Sequence, residues 1–378
     1  MIRRLIVLAV LAALFGGAPT TAQQIIRGPR PQAVDDRWIL DPPGITIETW
    51  AAGLVAPWSL AFLPDGRALV SERRGRILLV ERDGSYAPAV EFGIWEDAES
   101  GLMGIAVHPD FPNPAFVYAM YTWRSGGDTG NAIARFRLEG DALVDGVNLI
   151  EGIPAGDNHN GGRIAFGPDG MLYVGTGDVL RRELAQRMDS LAGKILRFTP
   201  DGGVPADNPF PGSPIWSLGH RNVQGLAWDP RTGAFYNSEH GPSGEVGFGA
   251  YDEINLIEKG GNFGWPLAVG APGRDGLLDP IAAWPEVTTP PSGAAFWRGD
   301  LYVAILGDGA LLRLILEDER VIGIERWFND GDNSRLGRLR DAVRGPDGAL
   351  YPLAGNHDWR GGQRPGDDRI LRITAHAD

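Results

Sequence analysis

The sequence predicts an all-β protein, a six-bladed β-propeller of four-stranded antiparallel blades. Three observations carry that prediction. A turn signal of the Pro-Asp-Gly type recurs six times along the 378 residues. Its copies stand about 45 to 70 residues apart, the scale of one blade with its loops. The chain also holds 54 Gly and 29 Pro, which favours many short strands over long helices. Only Arg182 to Leu191 shows any helical periodicity.

The elements follow in order. Arg3 and Arg4, an apolar core from Leu5 to Leu14 and small residues from Gly16 to Ala22 read as a secretion signal cleaved after Ala22. A membrane anchor is the alternative, and the apolar run is short for crossing a bilayer. Residues 1–22 are therefore expected to be a signal peptide, residues 23–41 a loose N-terminal lead, and residues 42–378 a single propeller domain. The expected location is periplasmic or secreted, with no membrane insertion after cleavage.

The turns stand at Leu63-Pro64-Asp65-Gly66, His108-Pro109-Asp110, Gly167-Pro168-Asp169-Gly170, Asp229 to Gly233, Arg298-Gly299-Asp300 and Gly345-Pro346-Asp347-Gly348. Asp-Gly supplies the backbone dihedrals of a tight hairpin, so two strands pair directly across it. A further strand follows most turns, as at Gly75 to Leu78, Gly193 to Arg197, Leu311 to Leu314 and Arg369 to Arg372. Ile45 to Trp50, ahead of the first turn, can pair with the last blade and close the ring.

Composition narrows the chemistry. With no cysteine, thiolate metal sites, cysteine nucleophiles and iron–sulfur clusters are excluded. About 350 mature residues bury a sufficient core without disulfides. A net charge of -13 argues against nucleic acid or an anionic membrane as partner. No H-E-x-x-H, P-loop or G-x-S-x-G pattern is present. Gly175-Thr176-Gly177-Asp178 lacks the third glycine and the helix of a dinucleotide loop, so it reads as a strand-end turn.

Architecture alone assigns no chemistry; the loops do. Asp157-Asn158-His159-Asn160-Gly161-Gly162-Arg163 sets a histidine among small polar residues, where it can exchange protons near neutral pH. Gly219-His220-Arg221-Asn222 aims a guanidinium fork and an amide outward from a turn. Ser238-Glu239-His240-Gly241-Pro242, with Asp252 nearby, offers carbonyl and carboxylate oxygens suited to calcium. Arg338 and Arg340, at i and i+2, share a side, an arrangement that a ligand with carboxylates relieves. Read singly, each loop has a structural alternative: a buried histidine, an inter-blade ion pair, a surface turn, a solvated basic face.

In this order the loops resemble those of the pyrroloquinoline-quinone (PQQ)-dependent glucose/sorbosone dehydrogenase family. The resemblance runs from about Gly53 to Thr374. It is carried by Gly101-Leu102-Met103-Gly104-Ile105-Ala106-Val107-His108-Pro109-Asp110-Phe111, by the four loops above, and by Asp252 to Pro266. It implies a soluble aldose dehydrogenase. His159 would be the general base for the anomeric hydroxyl, with hydride passing to the quinone and a lactone as product. Arg221 would stabilise the charge developing on the quinone. Glu99, Asn222, Arg338 and Arg340 would contact the cofactor. Gly241 and Pro242 carbonyls would bind calcium, helped through water by Asp252. An aldose and an electron acceptor are the implied partners, with Trp95, Trp123 and Trp359 as candidate sugar contacts.

Three departures accompany the resemblance. The family's cofactor lysine in the fifth blade is missing from Leu306-Gly307-Asp308-Gly309, which removes a contact of roughly 1.5–3 kcal/mol. Glu99 brings a carboxylate toward an acidic cofactor. The stretch between Pro242 and Asp252 is longer than typical. A cofactor-free binding propeller and a calcium-dependent lactone hydrolase are the competing readings. The missing lysine favours the first, and the retention of His159, Arg221, Asn222 and both arginines together speaks against it. The second leaves the paired Arg338 and Arg340 unexplained.

Overall fold

The computed structural model describes residues 24–358, 360–362 and 366–376; the expected signal peptide and Trp359 lie outside the described residues. Six four-stranded antiparallel sheets form a ring, the fold expected from the repeat. Each blade begins with an innermost strand: Pro57–Phe62, Leu102–Val107, Gly161–Phe166, Val223–Trp228, Pro291–Trp297 and Leu339–Arg344. These six strands contact one another around the axis. The six turns each connect an innermost strand to the second strand of its blade.

The turn aspartates explain the repeat. Asp65, Asp169, Asp229 and Asp347 each accept the backbone N–H two residues on, at 3.0, 3.1, 2.8 and 3.1 Å. Such side-chain turns fix the hairpin locally. Asp169 and Asp347 also accept the second-strand hydroxyls of Tyr173 and Tyr351, both at 3.0 Å, and hold third-strand Arg197 and Arg372. One residue thus ties three strands.

Apolar residues on both faces of each blade give six clusters, one between each pair of neighbours. Leu69, Ile77, Leu102 and Val117 join the first and second blades; Tyr351, Leu353, Val70 and Leu78 join the sixth to the first. The ring closes as Ile45–Ala52 pairs antiparallel with Arg369–Ala375. The lead differs from the loose segment expected. Ile26–Arg27 pairs with Ala268–Val269, and Asp36–Ile39 adds a parallel strand to the fifth blade beside Arg320–Trp327. Gln32 and Asp36 bond into the fourth and fifth blades, to the backbone of Ala283 and to Arg326. The short polar lead carried no periodicity that would reveal these pairings. Over Arg182–Gln186 the expected helix is one 3₁₀ turn.

Because the innermost strands run parallel to one another around the axis, their starts gather on the face opposite the turns. The links between second and third strands lie on that same face: residues 73–75, 177–193, 240–251, 306–310 and 355–358 among them.

Candidate active site

His159 and Arg221 lead into the innermost strands of the third and fourth blades, and the fold brings them together. Arg221 Nη2 lies 2.9 Å from His159 Nε2. Arginine only donates, so Nε2 accepts and the ring proton sits on Nδ1. There it meets Asp178 Oδ1 at 2.7 Å. Asp178 Oδ2 in turn accepts the Trp265 indole N–H at 2.8 Å, and the Arg221 guanidinium carbon stands 5.6 Å from the Trp265 ring. The buried carboxylate therefore fixes the imidazole's tautomer and orientation.

The backbone locks this arrangement. His159 adopts φ +56, a region that non-glycine residues seldom occupy. Its carbonyl accepts Val179 N–H at 3.2 Å, and Asp178 N–H bonds Arg221 O at 2.8 Å. A Cβ at Gly177 would stand 1.8 Å from His159 O, so only glycine allows this approach. Gly175-Thr176-Gly177-Asp178 is the strand-end turn expected, and it also delivers the carboxylate behind His159.

Beneath Arg221 runs a buried chain. Ser217 Oγ is 2.8 Å from His220 Nε2, and His220 Nδ1 is 2.6 Å from Glu239 Oε2. His220 stacks on Phe263 at 4.8 Å, and Glu239 Oε1 accepts Arg221 N–H at 3.4 Å. Ser217 and His220 are both 0% exposed, so this chain holds a loop in place and presents no nucleophile.

Asn222 Oδ1 accepts Gly161 N–H at 2.9 Å and Gln224 Nε2 at 3.1 Å. Glu99 accepts His159 N–H at 3.0 Å, and Asn222 Nδ2 reaches it at 3.5 Å. The Glu99 carboxylate thus braces the His159 backbone.

Glu99 also lines a cavity with Trp58, Arg73, Gln224, His240, Arg338 and Arg340. Arg338 donates to Asp358 Oδ2 at 2.9 Å and to Leu306 O at 3.1 Å; Arg340 lies 3.6 Å from the same Asp358 oxygen and 3.2 Å from Gln224 Oε1. The two arginines share a side as expected, but the chain's own Asp358 stands between them. Burial, with Arg73 next in weight, pushes Arg340 down to about 9 against the pull of Asp358.

Asp308, in the loop that lacks the lysine, pairs with buried Arg326 at 2.7 Å, and Arg326 also pairs with Asp36 of the lead. Its charge is neutralised on site, while Leu306 and Gly307 line the cavity.

Gly241 and Pro242 open the 240–251 link, and Asp252 begins the strand after it. Asp252 accepts Gly241 N–H at 3.0 Å and Thr289 N–H at 2.7 Å. Burial pushes its carboxyl up to about 6 against these two bonds. The link also places Glu245 on Arg221, 2.7 Å from Nη2 and 3.0 Å from Nε, while Arg221 Nη1 donates to His240 O at 3.0 Å. Of the candidate sugar contacts, Trp95 lies 4.9 Å from the guanidinium carbon of Arg124, and the Trp123 indole N–H is buried without a partner among the described residues.

Asp178, Glu245, Arg73 and Asp358 were not read as site residues. Asp178 stood in a noted motif. The others lie in short or irregular loops, and only the fold shows what they face.

The chain as a whole has relatives elsewhere. The aldose sugar dehydrogenase YliI of Escherichia coli strain K12 is 32% identical over 346 residues, 82% of this chain and 90% of that protein. A solved structure of PQQ-bound aldose sugar dehydrogenase from Streptomyces coelicolor is 40% identical with a TM-score of 0.79, covering 88% of this chain and 99% of that one. The apo-form of the soluble aldose sugar dehydrogenase from Escherichia coli is 28% identical at a TM-score of 0.75, covering 88% and 100%. The family profile described as Glucose / Sorbosone dehydrogenase matches residues 54–360. With its six blades and a histidine–arginine pair at their mouth, the chain belongs to the glucose/sorbosone dehydrogenase family of enzymes.

Proposed function

We propose that the protein is exported and oxidises aldoses at the anomeric carbon to lactones, with PQQ and calcium as cofactors. The observation that carries this reading is the 2.9 Å pair of His159 Nε2 and Arg221 Nη2 beside an arginine-lined cavity. The PQQ-bound Streptomyces coelicolor relative supports the quinone.

The residues present fit both groups. Arg338 and Arg340, which line the cavity, suit the carboxylates of a polyanionic cofactor. The carbonyls of Gly241 and Pro242 with Asp252 make an all-oxygen donor set for a hard cation. When bound, PQQ supplies a two-electron acceptor for the anomeric hydride and calcium a Lewis acid to polarise it.

The protein's own part is proton handling and orientation. Asp178 keeps the ring proton on Nδ1, so the His159 Nε2 lone pair is free to take the proton of the anomeric hydroxyl. Arg221 must release Nε2 as the sugar arrives, and its guanidinium then faces the negative charge that builds up opposite. Glu99 and Asn222 hold the backbone around His159, through its own N–H and that of Gly161.

The test is a PQQ titration of the calcium-loaded protein, followed by absorbance, with glucose and an acceptor dye added afterwards. Saturable binding and dye reduction are expected. No binding at micromolar PQQ rejects the reading. His159→Ala should abolish turnover yet keep PQQ affinity within about threefold; normal turnover in that variant rejects the assigned base.

A further inference from the structure

We propose that Arg73 is a cofactor-binding residue, its guanidinium supplying from the first blade the cationic contact to a quinone carboxylate that the lysine-free fifth-blade loop lacks. The inference rests on the PQQ reading above.

Arg73 follows the strand Ala68–Glu72 directly. Its N–H donates to Ala56 O at 3.1 Å and its carbonyl accepts Leu102 N–H at 2.8 Å, so its backbone is held from both sides. The stem crosses Gly101, where a Cβ would stand 2.6 Å from Arg73 Cγ. A glycine there opens the path that delivers the guanidinium to the cavity wall holding Arg338 and Arg340.

What the guanidinium meets is incomplete. Nη1 donates to Ala98 O at 2.6 Å, while Nε is buried with no partner among the described residues. Unlike Arg338, with Asp358 at 2.9 Å, Arg73 has no carboxylate within ion-pairing distance among the described residues. It is only 4% exposed. A buried cation with no counter-ion is costly to fold around, and a carboxylate entering the cavity that Arg73 lines relieves that charge. The fifth-blade loop offers no cation of its own: Asp308 is held by Arg326 at 2.7 Å, leaving Leu306 and Gly307 toward the cavity.

The experiment measures PQQ affinity of the calcium-loaded full chain for wild type, Arg73→Met, Arg73→Gln and Arg73→Lys, at two salt concentrations, with the thermal midpoint of each apo-protein alongside. Loss of a charge-assisted contact predicts about 10- to 100-fold weaker binding for Met and Gln. Lys should recover to within about fivefold, and the neutral variants should show a flatter salt dependence. Wild-type affinity in either neutral variant, or a lowered apo midpoint with unchanged affinity, overturns the proposal and leaves the PQQ reading standing. Should Met fail to fold, Gln, which can still donate to Ala98 O, decides the matter. Failure of wild type itself to bind PQQ overturns the underlying reading and this one together.

Discussion

The two faces of the propeller are built on opposite rules. On the turn face, one device repeats. An aspartate fastens its own hairpin and, in the third and sixth blades, a tyrosine and an arginine besides. On the other face no two links match: residues 73–75 in the first blade stand against 177–193 in the third and 240–251 in the fourth. Repetition gives the ring its stability, and departure from repetition gives it a site. Both faces use aspartates hydrogen-bonded to neighbours, so the chemistry lies in what each carboxylate is aimed at.

The largest expected effect tests that contrast. Asp178→Asn keeps the shape behind His159 but removes the charge that fixes the tautomer. By the same logic as in serine-protease triads, turnover should fall about 10²- to 10⁴-fold, with PQQ affinity changed less than about threefold. Asp347→Ala, on the opposite face, removes bonds to Ala349 N–H, the Tyr351 hydroxyl and Arg372. It should lower stability by about 1–3 kcal/mol with turnover unchanged. Steady-state kinetics and thermal midpoints of both variants measure the split. Turnover retained in Asp178→Asn, or lost in Asp347→Ala, breaks the division between the faces.

A second comparison lies within the site face. The 177–193 link that carries Asp178 is anchored by buried Lys194, whose Nζ donates to the carbonyls of Leu184, Ala185 and Ala192 at 2.8, 3.0 and 2.8 Å. Burial pushes this amine down to about 7 from an ordinary 10.5, against a weak pull from Asp189. Lys194→Met should cost about 2–4 kcal/mol and loosen the link. The sign of its pH dependence follows from the lowered value. Between pH 7 and 10.5 the folded chain holds a neutral amine, with two N–H donors shared among the three carbonyls. The unfolded chain binds one more proton there, so wild type gains stability over Lys194→Met as pH rises through that window. The gain should approach about 1.4 kcal/mol per pH unit at most and vanish below pH 7. Denaturant titrations at pH 6.5 and 9.5 check it, and an unchanged difference between them refutes the assignment.

The same contrast explains what could be read in advance. Pro-Asp-Gly turns, outer-strand patterns and the closing Ile45 segment are local signals, repeated often enough to give blade number and ring closure. His159, Arg221, Asn222, Arg338 and Arg340 stood out because polar residues clustered in otherwise turn-like loops. Their partners did not. Asp178 is 19 positions from His159 and Glu245 is 24 from Arg221, and no periodicity joins the link of a blade to that blade's own lead-in. Asp358 reaches Arg338 across the sixth blade in the same way. The lead was misjudged for a related reason: two- and four-residue strands carry too little pattern to announce which edge they join.

The smallest expected effect concerns the long fourth-blade link. Its Glu245 forms a two-pronged pair with Arg221 Nε and Nη2, and the two side chains differ sharply in exposure, 34% against 2%. A carboxylate with that much water around it holds its partner weakly. Arg221 nevertheless has to serve both Glu245 and any anionic oxygen brought by a ligand, and a guanidinium edge satisfied by one carboxylate is less available to a second anion. Glu245→Gln keeps a hydrogen-bonding side chain of the same size and removes only the competing charge. Its PQQ affinity should therefore tighten about 2- to 5-fold, as one surface-type ion pair of up to about 1 kcal/mol would allow. Weaker binding in that variant would mean that Glu245 stays on Arg221 in the loaded enzyme and orients it. The long link would then be a support for the site and not a cover over it.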